Sequence, residues 1–148
     1  MDETGIDTYL HREYAFARRG RKIFAPVSGK KYRRVGIVAA QLGKEIIAPL
    51  RYDGTMNSSL FETWFSTRLL PALPDGSVIV MDNAAFHRKS RLIFLAQSEG
   101  FRLHFLPPYA PELNPIEHFW NQLKQSLRRL LPYHSSFDDT LSDCFQVL

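Results

Sequence analysis

The sequence predicts an α/β layered domain, on three observations. Short runs rich in Val and Ile alternate with segments whose apolar residues recur at helical spacing. One run, Val78-Ile79-Val80-Met81, is apolar throughout, as suits a strand buried on both faces of a parallel sheet. Gly and Pro punctuate the junctions between segments. Strands alternating with helices pack as layers around a sheet.

The elements follow in order. Asp2-Glu3 followed by Thr4-Gly5 reads as a strand-to-turn junction. Ser28-Gly29 is a turn signal between two basic clusters. Val35 to Ala40 and Ile46 to Leu50 read as two strands joined around Gly43-Lys44, with a turn at Asp53-Gly54. A helix is expected next. Ser59 and Glu62 have capping-box spacing, Leu60, Trp64 and Leu69 make a stripe, and Pro71 and Pro74 end it. After the Val78 strand, Lys89 to Glu99 is helical and Gly100 closes it; Phe101 to Leu106 alternates as a strand that Pro107-Pro108 stops. Pro115 opens a helix whose buried stripe is Ile116, Trp120, Leu123, Leu127 and Leu130, and Pro132 ends it. A short amphipathic helix is expected from about Phe137 onward.

Length and composition bound the function. A chain of 148 residues fits one domain, 1–148, with a core large enough to fold without a disulfide. The single cysteine, Cys144, cannot pair internally, which points to a reducing compartment. No apolar run approaches the roughly 20 residues of a membrane span, and no signal pattern opens the chain. A cytoplasmic protein with no membrane partner is the expectation. The net charge of +4 favours a polyanionic partner. Nine Lys or Arg residues lie between Arg12 and Arg34 against one acid, Glu13. The clusters are Arg18, Arg19, Arg21, Lys22 and Lys30, Lys31, Arg33, Arg34. They fit a phosphate-contacting surface or a solvated face equally well.

Asp82 ends the most hydrophobic strand, the edge at which open α/β sheets bind ligands. Taken alone, it also fits a turn with Asn83. Glu117 stands three residues after Asn114, so a capping box is its simplest reading. Two features argue for more. The preceding segment, Pro107 to Pro115, holds four prolines, which stiffen it. Glu117 also heads a stripe of Asn121, Lys124 and Arg128, one carboxylate followed by two cations. Asp2 carries no signal by itself. His87 and His118 read as surface or helix-start histidines, or as donors to a phosphate. Glu3, Asn83, His87, Asn114 and His118 are candidates to support the acids from behind, with Glu112 a further one. Three carboxylates from separate elements would suit hard divalent cations in two-metal phosphoryl transfer. There is no Cys/His spacing for zinc and no Gly-rich phosphate loop.

Three blocks carry a resemblance. Met1-Asp-Glu-Thr-Gly-Ile6, Val80-Met-Asp-Asn-Ala-Ala-Phe-His87 and Leu106-Pro-Pro-Tyr-Ala-Pro-Glu-Leu-Asn-Pro-Ile-Glu-His-Phe-Trp120 resemble the catalytic blocks of DDE transposases of the mariner-like superfamily, in its bacterial insertion-sequence branch. The 34 residues between Asp82 and Glu117 match that branch's spacing. The resemblance implies a ribonuclease H-like α/β fold, a central mixed sheet with helices on both faces. It implies Asp2, Asp82 and Glu117 as catalytic and metal-binding residues for two Mg²⁺ ions, with Mn²⁺ able to substitute. The implied reaction nicks transposon ends and joins the freed 3′-hydroxyl to target DNA. Transposon-end and target DNA would meet the basic clusters and the face of Lys124 and Arg128. The resemblance also implies an assembly pairing two DNA ends, which admits a homodimer.

Two departures qualify the match. Only Met1 precedes Asp2, so the first strand is expected to be short at its start. The N-terminal helix-turn-helix DNA-binding module of the family is absent, so a separate or frameshift-fused half is the expected partner. Two other readings stay open: a ribonuclease H-like nuclease without strand transfer, and an inactive truncated remnant that binds DNA or dimerises.

Overall fold

The computed structural model describes residues 1–7, 19–20, 34–108 and 111–148. β1 (Asp2–Asp7) pairs antiparallel with β2 (Arg34–Leu42), with Asp2 opposite Ala39 and Ile6 opposite Val35. The expected turn at Thr4-Gly5 is therefore strand: both residues sit in the ladder, opposite Ile37 and Gly36. Cross-strand pairing overrides the local turn preference of a glycine. β2 turns at Gly43-Lys44 into β3 (Glu45–Asp53), and Gly43 takes the positive φ of 62° that such a two-residue turn requires.

The β2–β3 ladder shifts register between Val38 and Ala40. Opposite that shift Ala48 adopts a φ of 51°, and its carbonyl accepts the Trp64 indole N–H at 2.7 Å. The bulge thus releases a strand carbonyl to pin the next helix. That helix, α1 (Ser58–Trp64), runs on as a π-turn over Phe65–Leu69 and a 3₁₀ turn over Leu70–Ala72. Its cap is Asn57, not Ser59. Asn57 has extended backbone and its side chain accepts the Leu60 N–H at 2.9 Å, whereas Ser59 already lies inside the helix.

β4 (Val78–Met81), α2 (Lys89–Ser98) and β5 (Arg102–Phe105) form a parallel crossover unit with Met81 opposite Phe105. Gly100 closes α2 at a φ of 81°. The antiparallel trio and the parallel pair meet where the Met1 main-chain nitrogen donates to the Val80 carbonyl at 2.8 Å. α3 (Ile116–Leu130) and α4 (Phe137–Val147) complete the chain.

β2 is buried almost end to end because helices cover both of its faces. Ile37 and Ala39, with Ile6 of β1, pack on Ile116, Trp120, Leu123 and Leu127 of α3 and Leu141 and Cys144 of α4. Val38 and Ala40 pack the other way, onto Phe61, Trp64, Phe65 and Leu69, together with Met81 and with Leu92 and Ala96 of α2. The expected α/β layering with helices on both faces forms, the strands being an antiparallel trio and a parallel pair linked by the Met1–Val80 bond, and strand alternation decides which residue serves which core. Leu130 is only partly buried in the α3 stripe. Among the described residues, no helix is long and apolar enough to cross a membrane.

Candidate active site

Three acids reach one cavity from three elements. Asp2 lies on the face of β1 that also carries Ile6, the face covered by α3, and is 7% exposed. The bond from Met1 to Val80 sets it beside the end of β4, where Asp82 follows two residues later. Glu117 stands in the first turn of α3. A cavity of about 470 Å³ is lined by these acids, by Asn83, Ala84 and Lys89, and by Leu106, Pro107, Pro108 and Asn114.

The electrostatics fit that convergence. The Asp2 carboxyl is pushed up to about 7, first by burial and then by the charges of Glu117 and Asp82. Glu3, on the next strand position, is pushed up to about 8 by burial and then by Asp2 and Asp82. Crowded carboxylates of this kind hold protons unless a cation neutralises them. The donor set is all oxygen, which suits a hard divalent ion. Among the described residues, no three His, Cys, Asp or Glu side chains already cluster at ligating geometry. The acids share the cavity walls.

The supporting candidates divide. Asn83 lines the cavity and its Nδ2 donates to the Leu106 carbonyl at 3.3 Å, tying the ends of β4 and β5. Asn114 is buried in the wall. The capping box expected of Asn114 and Glu117 does not form. The Glu117 N–H bonds the Asn114 carbonyl at 3.1 Å, and Pro115 caps α3 with no side-chain bond. The Asn114 side chain lines the cavity instead.

His87 is neither at the surface nor at a helix start. Its side chain is 1% exposed, with Nδ1 3.4 Å from Asp82 Oδ1 and Nε2 4.0 Å from Glu3 Oε2. Burial lowers its imidazole's affinity for a proton, against the pull of the Asp82 carboxylate. It lies behind Asp82 and outside the residues that line the cavity. His118 is exposed on α3 and does not line the cavity; Glu112 is exposed on a 3₁₀ turn.

Of the basic residues, Arg19 and Arg34 are exposed, Lys124 is partly exposed and Arg128 exposed. Arg18, Arg21, Lys22, Lys30, Lys31 and Arg33, with the turn at Ser28-Gly29, lie outside the described residues, as do Tyr109 and Ala110. Sequence reasoning passed over Lys89. It opens α2, stands against the Phe105 ring at 5.2 Å, and is the one cation among the cavity-lining residues described. Its place seven residues after Asp82, at the first helical position, was the available signal.

Residues 1–140 match the family model described as DDE superfamily endonuclease. The chain belongs to that family. As a DDE endonuclease it is also 29% identical over 75 residues to "Uncharacterized protein y4pE/y4sA" of Sinorhizobium fredii (strain NBRC 101917 / NGR234), a match covering 49% of this chain and 53% of that one. The matched stretch thus spans about half the length of that curated relative. Solved structures share the fold at low identity. The Mos1 transposase paired-end complex with left transposon end superposes at TM-score 0.68, 14% identity, over 85% of this chain and 40% of that one. The Mos1 strand transfer complex gives 0.65 and 12% over 98% and 52%. The simian T-cell lymphotropic virus intasome gives 0.59 and 17% over 77% and 41%. These similarities establish the ribonuclease H-like fold of this DDE endonuclease domain.

Proposed function

We propose that the chain is the catalytic domain of a DNA transposase, of the bacterial insertion-sequence branch of the mariner-like superfamily, and that Asp2, Asp82 and Glu117 hold two Mg²⁺ ions. The observation that carries this is the meeting of three acids, from β1, the end of β4 and the start of α3, in one cavity. Bound, the two cations would activate the attacking oxygen and stabilise the leaving one. The chain's own residues do the rest. Asp2 and Glu117 would supply charge to the cations from β1 and from the first turn of α3. Lys89 offers a point charge to the phosphate undergoing transfer. Asn83 and Asn114 hold the walls on which the acids sit. The reaction is nicking of transposon ends followed by attack of the freed 3′-hydroxyl on target DNA. Lys124 and Arg128, with Arg19 and Arg34, are proposed to meet backbone phosphates. The transposon-end recognition module is proposed to be a separate or frameshift-fused helix-turn-helix half, and the working assembly a dimer holding two DNA ends.

The test uses duplex oligonucleotides carrying the terminal repeats that flank the gene, one intact and one pre-cut to expose the 3′-hydroxyl. The expected result is Mg²⁺-dependent nicking of the first and joining of the second to target DNA. Both are lost in Asp82→Asn and Glu117→Gln while circular dichroism stays native. Nicking without joining would replace the proposal by a plain nuclease. Full activity in both variants would remove the assigned site.

A further inference from the structure

We propose that Glu3 and His87 form a positioning device behind the site, holding the Asp82 carboxylate so that its Oδ2 is left to the cavity. The inference rests on the reading that Asp82 holds a cation. Asp82 Oδ1 faces the protein: it accepts the Ala84 N–H at 3.3 Å and stands 3.4 Å from His87 Nδ1. Among the described residues, Oδ2 accepts no hydrogen bond. On the far side, His87 Nε2 faces Glu3 Oε2 at 4.0 Å.

Among the described residues, both imidazole nitrogens and Glu3 Oε2 are buried with no hydrogen-bond partner. A buried polar atom left in that state costs roughly 1–3 kcal/mol, so three of them in one line mark groups set to pair with one another. The Asp82 side is already within hydrogen-bonding distance and lacks only alignment, whereas the Glu3 side needs a closer approach of about 1 Å. An ionised Asp82 carboxylate only accepts, so the proton on that side is on Nδ1, and one proton between Nε2 and Oε2 serves both atoms there.

Aromatic packing limits how the ring can turn. Phe61 and Phe86 hold it at centroid distances of 4.3 and 4.5 Å. The segment that bears it is tied to α1 twice: Ser58 Oγ donates to the Phe86 carbonyl at 2.6 Å, and Arg88 clasps Glu62. A further bond from the His87 N–H to the Ala84 carbonyl, 3.0 Å, closes the turn between Asp82 and His87. Partners that orient a ligating side chain from behind are worth about 10–100-fold in metal affinity or activity.

The experiment titrates Mn²⁺ into the folded full chain by calorimetry, with thermal melting alongside. His87→Gln keeps a polar group near Nε2 and removes the donor to Asp82; His87→Asn keeps a donor near Nδ1. The expected result is about 10-fold or weaker Mn²⁺ binding for His87→Gln, with much of the loss recovered in His87→Asn. Glu3→Leu and Glu3→Gln both remove the carboxyl group, but only Gln can still bond the imidazole. Mn²⁺ affinity is therefore expected to fall several-fold further in Leu than in Gln, which tests the device even where a His87 variant fails to fold. Equal affinities within both pairs, with only the melting temperature lowered, overturn the positioning role. Asp82→Asn separates the two claims: Mn²⁺ binding that survives it removes the metal reading, whereas its loss beside unaffected His87 and Glu3 variants removes the positioning alone.

Discussion

Glu62 grips Arg88 with both carboxylate oxygens, Nε to Oε1 at 2.6 Å and a terminal nitrogen to Oε2 at 2.7 Å. The pair bolts α1 to the segment running from Asp82 to α2. Arg88 is mostly exposed, so its contribution to stability is small. Its effect should fall on the site. Arg88→Ala is expected to lower the melting temperature little and kcat several-fold. Arg88→Lys, which cannot make the forked pair, should resemble Arg88→Ala in kcat. Unchanged turnover in both variants would show that the loop holds its place without the clasp.

Metal-free stability should fall as pH rises. Folded Asp2 and Glu3 keep their protons to about 7 and about 8, against ordinary values of 3.8 and 4.5. Across that window the folded chain binds more protons than the unfolded one, so each step up in pH favours unfolding. The stability is therefore greatest at the acid end of the window and the loss is complete above about 8. Mg²⁺ favours the ionised carboxylates, so the melting temperature should rise more on adding Mg²⁺ at pH 8 than at pH 6. A metal-induced rise independent of pH would contradict this assignment.

Glu117→Gln separates chemistry from helix capping. α3 has no side-chain cap, so the amide costs the helix only the charge near its N-terminus, a few tenths of a kcal/mol up to about 1. It also removes one of the charges that burden Asp2. Melting at pH 8 without metal should be unchanged or slightly higher, while Mg²⁺-dependent cleavage drops on the order of 100-fold or more. Retained cleavage would leave Glu117 a structural residue.

Lys89→Gln should raise KM for DNA and reduce the slope of log affinity against log salt by about 1, the signature of one lost phosphate contact. Folding should survive, because Lys89 is exposed. An unchanged salt slope would count against phosphate contact.

Leu123→Ala should cost about 2–5 kcal/mol in denaturant unfolding, since Leu123 is fully buried between α3 and the sheet face of Ile37 and Ala39. A cost below 1 kcal/mol would show that α3 is not held by this seam.

The sequence by itself determined the element order from Val35 onward, and it placed Asp82 at the end of a strand and Glu117 in the first turn of a helix. Those rest on short-range physics: apolar periodicity, prolines at helix ends, and the rule that ligands gather at carboxyl ends of parallel strands. Tertiary structure decided the rest. Asp2 was indistinct in the sequence because its meaning lies in one hydrogen bond between Met1 and Val80, residues 79 positions apart. His87 read as a surface or helix-start residue because nothing local announces Glu3 and Phe61 around it, and only the folded sheet supplies them. Asn57 displaced Ser59 as a cap, and Asn114 left its capping role for the cavity wall, because packing fixed where those backbones enter their helices. Local pattern chooses the elements; the meeting of distant side chains, and the energetic cost of burying their charge, comes only from how those elements close on one another.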